Sequence, residues 1–347
     1  MRSDTISFDG GTIGDGETFI IAEAGSNHNG DLETAKKLVD AAAEAGADAV
    51  KFQTFRAERH FVEDSGTIPQ MEGDKSIYET LAEVEMPYEW IPELHERAVE
   101  QDILFMSTPS DEQSAHELDP YVPMFKIESF NLSNYPFLES VAEIGKPMIL
   151  SAGAHTYEEI EEAVEFLDSI DGPPTVLLHC VSAYPTDLSD INVRAIERIQ
   201  SDFGLLSGLS DHTTDPVTAP SAAVAVGGSV VEKHFTLDND MPGPDHDYAL
   251  EPDELSEMVT AIRRTEMALG DGEIRVLEEE QGDIVRRHVH ATVTIEAGEQ
   301  LTEDNVALLS SGMKDPGLEP KHYEEVIGRT AARDIDKDDG ITWDDLE

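Results

Sequence analysis

The most constraining feature of this 347-residue sequence is a repeated alternation between short apolar runs and amphipathic stretches. Eight apolar runs read as strands, and nearly all of them are followed by residues with the apolar spacing of a helix. The strands are predicted to start near Phe19, Ala49, Leu104, Met124, Met148, Val176, Leu206 and Val230. Eight βα units over about 250 residues are typical of an α/β fold, the (β/α)8 TIM barrel. A doubly wound open sheet is the rival fold, but no GxGxxG follows the first strand.

A change of pattern after Leu269 predicts two domains. A polar, charged linker over residues 273–285 separates the barrel, residues 1–272, from a small module at residues 286–347. A module of about 60 residues is close to the lower limit for an independent domain. We therefore expect it to dock on the barrel or on another subunit.

Within the small module, the pattern predicts β structure. Residues 290–295 alternate like a strand, residues 296–299 read as a tight turn, and residues 302–305 read as a helix start or a turn. Residues 326–335 suggest a second short β region. In the barrel, the polar residues 56–87 are predicted to form a long irregular insertion.

The charge of the chain excludes some partners. Asp and Glu number 74 against 23 Lys and Arg, a net charge of −51, and such a surface repels nucleic acid and anionic membranes. Because the charge is spread along the chain and 39% of the residues are hydrophobic, we expect a folded, halophilic protein. No stretch reaches the length of a membrane span and no signal peptide is recognisable, which predicts a cytoplasmic protein. Cys180 is the only cysteine, so no intrachain disulfide can form.

A pair of histidines follows two strands that the predicted fold brings together. Residues 208–236 read as strand, loop, helix and strand, and a parallel βαβ unit places the carboxyl ends of its strands at one edge of the sheet. His212 and His234 are therefore expected to lie side by side. Two neutral imidazoles directed at one point can hold a divalent metal, although histidines without a metal are commoner. The pair by itself leaves both interpretations open.

Lysines also collect at the predicted strand ends. Of the ten lysines in the chain, Lys51, Lys126 and Lys233 lie at the end of a strand, where surface lysines have no reason to cluster. Active sites of TIM barrels lie at the carboxyl-terminal ends of the strands. With serine hydroxyls and loop N–H groups nearby, the lysines predict that a phosphate group binds at the carboxyl-terminal end of the barrel. In the simpler interpretation, a local carboxylate neutralises each lysine, for example Glu128 beside Lys126.

Nine segments, in order along the chain, resemble one enzyme family, the sialic acid (N-acetylneuraminate) synthases. The segments are IIAEAGSNHNG, DAVKFQTF, STPSDEQS, FKIES, GKPMILSAG, LLHCVSAYPT, GLSDHT, EKHFTLD and GPDH. The segments RRHVHATVTIEAGEQLTEDNV and VIGRTAARDI resemble the small β-rich antifreeze-like (SAF) domain that ends those enzymes. The resemblance implies a TIM barrel, an SAF domain and a domain-swapped homodimer in which each SAF domain closes over the partner's barrel.

The reaction that the resemblance implies joins phosphoenolpyruvate (PEP) to the aldehyde of an open-chain N-acetylated hexosamine, such as N-acetylmannosamine. Phosphate leaves by C–O cleavage, and the product is a nonulosonic (sialic) acid. The family's motifs place a divalent metal on His212 and His234, and an open site with two protein ligands suits Mn²⁺ or Mg²⁺. Glu23 is the candidate for proton transfer at the aldehyde oxygen, because it ends the first strand beside the histidines.

The remaining substrate contacts are also implied by motif matches. The residues predicted to bind PEP are Lys51, Thr108, Lys126, Ser129, Ser151 and Ser210. Tyr184 and Asp245 are predicted to contact sugar hydroxyls. Without these roles, Tyr184 would anchor a loop, Asp245 would cap one, and Cys180 would pack at the barrel end.

Two departures from the family concern the sugar. Where the synthases carry an arginine in a Lys-Arg-Pro-Gly run of the SAF domain, this chain has Ser310, so contact to the N-acetyl group requires a substitute such as Lys314. Asn131 stands where many members carry an acidic residue. A legionaminic- or pseudaminic-type substrate is therefore an alternative.

Two further functions stay open at this point. Another PEP-using barrel, a 3-deoxy sugar acid synthase, would need a second cationic cluster for its phosphorylated aldose, and the sequence has no clear one. A non-catalytic scaffold would show degraded site residues. Ser310 agrees with a scaffold, whereas Lys51, Lys126, His212 and His234 are intact.

Overall fold

The structure, a computed structural model, describes residues 2–67, 75–275 and 284–347. It divides into two compact units, Met1–Gly270 and Asp271–Glu347. Most of the predicted linker lies outside the described residues. Within the described part of the chain, no helix is long and apolar enough to cross a membrane.

A short antiparallel hairpin, β1 (Ile6–Phe8) and β2 (Gly11–Ile13), opens the first unit. Ile6 and Ile13 are buried in an apolar cluster with the first residues of several barrel strands, so the hairpin covers the amino-terminal end of the barrel. This hairpin is absent from the elements predicted from the sequence. The two-residue turn contains Gly10 at a φ of 106°, and its Asp-Gly pair is a recognised hairpin signal.

The first unit is built around a sheet of eight parallel strands. They are β3 (Phe19–Gly25), β4 (Ala49–Thr54), β5 (Leu104–Pro109), β6 (Phe125–Ile127), β7 (Met148–Ser151), β8 (Thr175–Cys180), β9 (Leu206–Asp211) and β10 (Val230–His234). Hydrogen bonding orders them as β5-β4-β3-β10-β9-β8-β7-β6. The terminal strands β5 and β6 also lie in contact, so the sheet curls into a nearly closed barrel. The predicted TIM barrel is confirmed, and the open doubly wound sheet is excluded.

Helices follow every strand of the barrel. They are α1 (Leu32–Ala45), α2 (Ala57–His60), α3 (Ile77–Glu83), α4 (Trp90–Glu100), α5 (Glu112–Leu118), α6 (Tyr135–Ile144), α7 (Tyr157–Ser169), α8 (Ala195–Phe203), α9 (Thr218–Ala225) and α10 (Pro252–Leu269). In α1, Asp31 caps the start by accepting the N–H of Thr34, and Gly46 ends the helix at a φ of 85°. The prediction that residues 56–87 are irregular is wrong in part, because α2 and α3 lie within them. Residues 68–74 are outside the described residues.

The two faces of each strand have different surroundings, because successive side chains point to opposite sides of a sheet. In β10, Val230 packs in the cluster inside the barrel, whereas Val231 packs in the layer between the sheet and the helices. The alternation therefore directs Glu232 and His234 into the barrel. It directs Lys233 away from the barrel interior.

In its described residues, the second unit contains an antiparallel pair, β11 (Arg287–Ala291) and β12 (Val306–Ser310), and a short helix, α11 (Tyr323–Val326). Its apolar core consists of Val289, Ala291, Ile295, Leu301, Val306, Val326, Ala331, Ile335 and Ile341. The turn at residues 296–299 is confirmed by a bond of 2.9 Å from the Glu299 N–H to the Glu296 carbonyl.

Two predictions for the second unit need correction. The strand lies at Arg287–Ala291 and not at residues 290–295, because pairing with β12 ends at Ala291 and Ile295 makes only an isolated bridge. The suggested β region at residues 326–335 begins at the end of α11 and contributes isolated bridges through Thr330, Ala331 and Ile335.

Candidate active site

The carboxyl ends of the barrel strands carry a cluster of buried polar side chains, which we call the mouth. Its members are Glu23, Lys51, Thr108, Lys126, Ser129, Ser151, Ser210, His212, Glu232 and His234, all less than 10% exposed. Parallel strands place these ends at one edge of the sheet, as the sequence analysis expected. The predicted catalytic, metal-binding and PEP-binding residues are therefore brought together.

Lys51 is the centre of one half of the mouth. Its Nζ lies 2.7 Å from Glu23 Oε2 and donates a hydrogen bond of 2.9 Å to Thr108 Oγ1. Gln53, on the same face of β4, donates to Glu23 Oε1 at 2.9 Å. Glu23 is therefore held by a cation and an amide from the neighbouring strand, which fixes the direction of its carboxylate.

Lys126 is the centre of the other half. Its Nζ donates to Ser151 Oγ at 2.7 Å and to the Ile127 carbonyl at 3.1 Å. Its carboxylate partner is Glu232, at 3.7 Å, and not the neighbouring Glu128. A cation with a hydroxyl beside it matches the predicted phosphate cradle.

Glu232 connects the two halves, and the sequence analysis gave it no role. Its carboxylate lies 3.8 Å from Lys51 Nζ and 3.7 Å from Lys126 Nζ, and it accepts a hydrogen bond of 3.2 Å from Ser210 Oγ. The signal was present, because Glu232 shares the strand face of His234. Lys233, the neighbour of Glu232 in sequence, lies on the opposite face of the strand.

Burial and mutual charge set the protonation of this cluster. Burial is the main cause that raises the pKa of Glu23 to about 7; the charge of Lys51 opposes this shift, and the charge of Glu232 adds to it. Burial by itself would lower the pKa of Lys51. The negative charges of Glu23 and Glu232 outweigh burial and raise this pKa above its ordinary value. Glu232, also penalised by burial, has its pKa lowered by Lys126 and Lys51. The two carboxylates thus divide into an ionised Glu232 and a Glu23 able to exchange a proton near neutral pH.

The prediction that Lys233 joins an anion site is wrong. Its Nζ lies 2.6 Å from Asp211 Oδ2 and donates to Thr213 Oγ1 at 3.0 Å and to the Asp215 carbonyl at 3.2 Å. Asp211 lies on the outer face of the sheet, away from the barrel interior, and Thr213 and Asp215 lie in the loop that follows β9. Lys233 therefore neutralises a buried aspartate and ties the loop after β9 to β10.

Two of the PEP-binding candidates have partners that are not lysines. Ser129 Oγ lies 3.7 Å from Cys180 Sγ and accepts the N–H of Gly153 at 3.0 Å. Ser210 donates to Glu232, as described above. Ser210 thus shares the Glu232 carboxylate with Lys126. Burial raises the pKa of the Cys180 thiol, which argues against a nucleophilic role.

His212 and His234 lie side by side, with ring centroids 5.5 Å apart. The Nδ1–H of His212 donates to the Val181 carbonyl at 2.8 Å, which leaves its Nε2 free to bind a ligand. Among the described residues, the buried Nδ1 of His234 has no hydrogen-bond partner. Burial, followed by the charge of His234, lowers the pKa of His212 to about 4, so the imidazole is neutral.

This donor set fits a divalent metal with few protein ligands. No group of three or more His, Cys, Asp or Glu side chains in the described ranges could hold a metal ion. Each neutral imidazole could supply one nitrogen to a metal ion. The ion would keep several coordination positions for oxygen ligands. The pair therefore remains a candidate for an open Mn²⁺ or Mg²⁺ site.

Two tyrosine rings pack beside the histidine pair. The ring of Tyr184, 43% exposed, lies 4.1 Å from the His212 ring, and the buried ring of Tyr248 lies 5.4 Å from the His234 ring, centroid to centroid. The Tyr248 hydroxyl donates to Asp245 Oδ1 at 2.7 Å, and Asp245 Oδ2 lies 4.0 Å from His234 Nδ1. The predicted sugar contacts Tyr184 and Asp245 are thus adjacent to the histidine pair. The sequence analysis missed Tyr248.

The residues that depart from the synthase motifs have local partners. Asn131 is buried and donates to Glu128 Oε1 at 3.0 Å. In the second unit, Ser310 ends β12 and donates to the Val285 carbonyl at 2.9 Å. Lys314, the suggested substitute for the arginine, forms an exposed ion pair of 2.8 Å with Asp339. An exposed pair of this kind is weak enough for Lys314 to exchange its partner.

Comparison with known proteins identifies relatives of this chain. The model of the NeuB family matches residues 38–274, and the model of the SAF domain matches residues 286–347. The chain is 41% identical over 355 residues to the spore coat polysaccharide biosynthesis protein SpsE of Bacillus subtilis, a match spanning 96% of this chain and 95% of SpsE. It is 38% identical over 334 residues to the N,N'-diacetyllegionaminic acid synthase of Campylobacter jejuni, spanning 94% of this chain and 99% of that enzyme.

A solved structure agrees with the barrel. The crystal structure of the N-acetylneuraminic acid (sialic acid) synthetase from Leptospira borgpetersenii, in complex with citrate, is similar with a TM-score of 0.73 and 35% identity. The match covers 82% of this chain and 96% of that chain.

Proposed function

The chain belongs to the NeuB family and carries an SAF domain, and on this premise we propose that it condenses PEP with an N-acetylated hexosamine and releases phosphate. The product is a nonulosonic acid. The observation that carries the proposal is the meeting of two buried lysines, their serine and threonine partners and a neutral histidine pair in one barrel mouth. The names of the relatives, which include sialic, legionaminic and pseudaminic acid synthases, support the same reaction class.

We assign the phosphate group of PEP to Lys51 and Lys126. Thr108 and Ser151 already accept hydrogen bonds from these lysines and would turn their hydroxyls to the ligand. Ser129 and Ser210 lie within the same cluster. As the C–O bond to phosphate breaks, the lysines stabilise the charge that develops on the leaving group.

We assign the sugar aldehyde to the side of the mouth that holds Glu23 and the histidine pair. A divalent ion on His212 and His234, when bound, would act as a Lewis acid on the aldehyde oxygen. The C3 carbon of PEP attacks the aldehyde carbon, and Glu23 supplies the proton that the new alkoxide takes up. Its raised pKa suits this role. The cation that forms at C2 takes up water, and one proton of that water restores Glu23. The tetrahedral intermediate then collapses with loss of phosphate, which carries away the second proton.

Tyr184 and Asp245 are proposed to recognise the body of the sugar. A tyrosine ring offers an apolar face to sugar C–H groups, and a carboxylate accepts hydrogen bonds from hydroxyls. Because Ser310 and Asn131 depart from the synthase motifs, a legionaminic- or pseudaminic-type substrate is the alternative to an N-acetylmannosamine-like sugar. The 38% identity to a diacetyllegionaminic acid synthase makes a diacetamido-trideoxy hexose the specific alternative.

The quaternary arrangement is a separate proposal. The resemblance to the sialic acid synthases supports a homodimer in which SAF domains are exchanged. Light scattering at several salt concentrations measures the mass and tests this. A monomer that is fully active would contradict it.

The function is tested by phosphate release. The protein is incubated in high salt with PEP, Mn²⁺ and each of a panel of sugars, N-acetylmannosamine and diacetamido-trideoxy hexoses among them. Reactions without sugar and with a chelator are the controls. We expect release with one sugar class only, and mass spectrometry should identify the nonulosonic acid. Release that requires a phosphorylated aldose would favour a 3-deoxy sugar acid synthase, and no release from folded, metal-loaded protein would favour a scaffold.

A further inference from the structure

The loop between β10 and α10, residues 236–250, holds Asp245 on a well-anchored backbone. Its two ends are joined by hydrogen bonds, from the Thr236 N–H to the Leu250 carbonyl at 2.9 Å and from the Leu250 N–H to the His234 carbonyl at 3.0 Å. Asn239 Nδ2 also donates to the Ala249 carbonyl at 2.8 Å. The backbone around Asp245 is therefore determined by contacts that do not involve its carboxylate.

His246 fastens the middle of this loop. Its Nδ1 lies 2.6 Å from Thr236 Oγ1, and its Nε2 lies 3.2 Å from Asn29 Oδ1, in the loop after β3. Gly243 passes so close that a Cβ there would lie 2.6 Å from the His246 ring. The loop is thus closely packed, and the remaining freedom of Asp245 is the rotation of its side chain.

The Asp245 carboxylate faces a second carboxylate across Gly25. A Cβ on Gly25 would lie 3.2 Å from Asp245 Oδ2, 3.4 Å from Gln53 Nε2 and 3.5 Å from Glu23 Oε1. The oxygens of Asp245 and Glu23 therefore border the same small space beside Gly25. When Glu23 has given up its proton, the two carboxylates repel each other across this space. Without a restraint, Asp245 would then turn away from Glu23.

We propose that Tyr248 is the restraint, a positioning residue whose hydroxyl holds the Asp245 carboxylate with Oδ2 towards His234 and the mouth. The hydrogen bond of 2.7 Å from Tyr248 to Asp245 Oδ1 is short, as expected for a charged acceptor. The tyrosine ring is itself held between Tyr184, at a centroid distance of 5.5 Å, and His234. This inference rests on the proposed function, because it assigns Asp245 to the sugar side of that site.

The ring and the hydroxyl of Tyr248 can be tested separately. Tyr248→Phe removes the donor and keeps the ring contacts. Tyr157→Phe is a matched control, because the Tyr157 hydroxyl donates to Asp202 at 2.8 Å on the exposed surface of α7. We expect Tyr248→Phe to raise the KM for the amino sugar about tenfold and to leave the KM for PEP within twofold. Tyr157→Phe should change neither.

A double-mutant cycle distinguishes positioning from general damage to the fold. In an Asp245→Ala background, Tyr248→Phe should have no further effect on the sugar KM, because the group that it positions is gone. An undiminished tenfold effect in that background would overturn the proposal. So would an equal rise in the KM values of both substrates.

Crystal structures give a readout that does not depend on activity. In Tyr248→Phe, we expect the Asp245 side chain to rotate away from Glu23, whereas Asp245→Asn should keep its position because the amide oxygen still accepts the Tyr248 hydroxyl. An unmoved Asp245 in Tyr248→Phe would refute the inference even if no sugar proved to be a substrate. Lack of turnover with a displaced Asp245 would instead refute the proposed function and leave the positioning role supported.

Discussion

The buried carboxylate of Glu232 provides the sharpest test of the charge balance in the mouth. It is the shared counterion of Lys51 and Lys126, at 3.8 and 3.7 Å. Glu232→Gln removes one negative charge while it keeps nearly the same volume and an acceptor for Ser210. Lys51 retains Glu23 at 2.7 Å, whereas Lys126 loses the one carboxylate that lies within 4 Å of its Nζ among the described residues.

The magnitude follows from the distances and the burial. Two unit charges at 3.7 Å interact by about 4 kcal/mol at an effective dielectric constant of about 20. Part of this loss is offset, because a neutral glutamine costs less to bury than a carboxylate. Breaking a buried pair by removal of one partner costs about 3–5 kcal/mol, and we expect a loss of about 3 kcal/mol in the free energy of unfolding.

The assay is urea unfolding at constant high salt, followed by circular dichroism, with and without inorganic phosphate. Phosphate should stabilise Glu232→Gln more than the wild type, because two lysines then face one carboxylate and an anion restores the balance. Asp211→Asn is the matched control. It strips the buried Lys233 of its counterion on the opposite face of the sheet, so phosphate should not rescue it.

Two results would refute this reasoning. The first is a Glu232→Gln variant that unfolds at the same urea concentration as the wild type. The second is equal rescue of Glu232→Gln and Asp211→Asn by phosphate, which would indicate a general salt effect and no anion site between the lysines.

Four further substitutions test other parts of the site and the barrel. His212→Ala should lower the affinity for Mn²⁺ at least tenfold in calorimetry with little change in the melting temperature, and unchanged binding would contradict the metal assignment. Lys233→Met should destabilise the fold by about 3 kcal/mol and leave the KM for PEP unchanged, whereas Lys126→Met should raise that KM at least tenfold; equal kinetic effects would contradict the separation of the two lysines. Ile13→Ala should reduce the unfolding free energy by about 2–4 kcal/mol with unchanged KM values, because it opens a cavity beneath the barrel, and a kinetic change would contradict that purely structural role.

Much of the fold was predictable because its signals are local. The starts of the barrel strands follow from apolar runs, and the predicted positions agree with the structure to within one residue. The parallel arrangement then places His212 and His234 at one edge without any further information. The hairpin at Gly10 was predictable in principle, but three-residue strands are too short to show periodicity.

The site was only partly predictable because composition and strand position do not specify direction. Lys233 and Glu232 are neighbours in sequence, yet the pleat of the strand places them on opposite faces. The alternation of side chains along a strand predicts this separation. The Tyr248–Asp245 bond depends instead on the path of an irregular loop, for which the sequence has no periodic signal.

The sequence by itself determined the barrel, the two-domain pattern of the family and the residues at the strand ends, since each depends on local periodicity or on ordered motifs. Tertiary structure alone decided which carboxylate neutralises which lysine, and it placed Glu23, Asp245 and Gly25 around one space. The physical reason is that pairing energies and pKa values depend on distances of a few ångströms between residues far apart in the chain. Those distances exist only after eight strands have closed into one barrel.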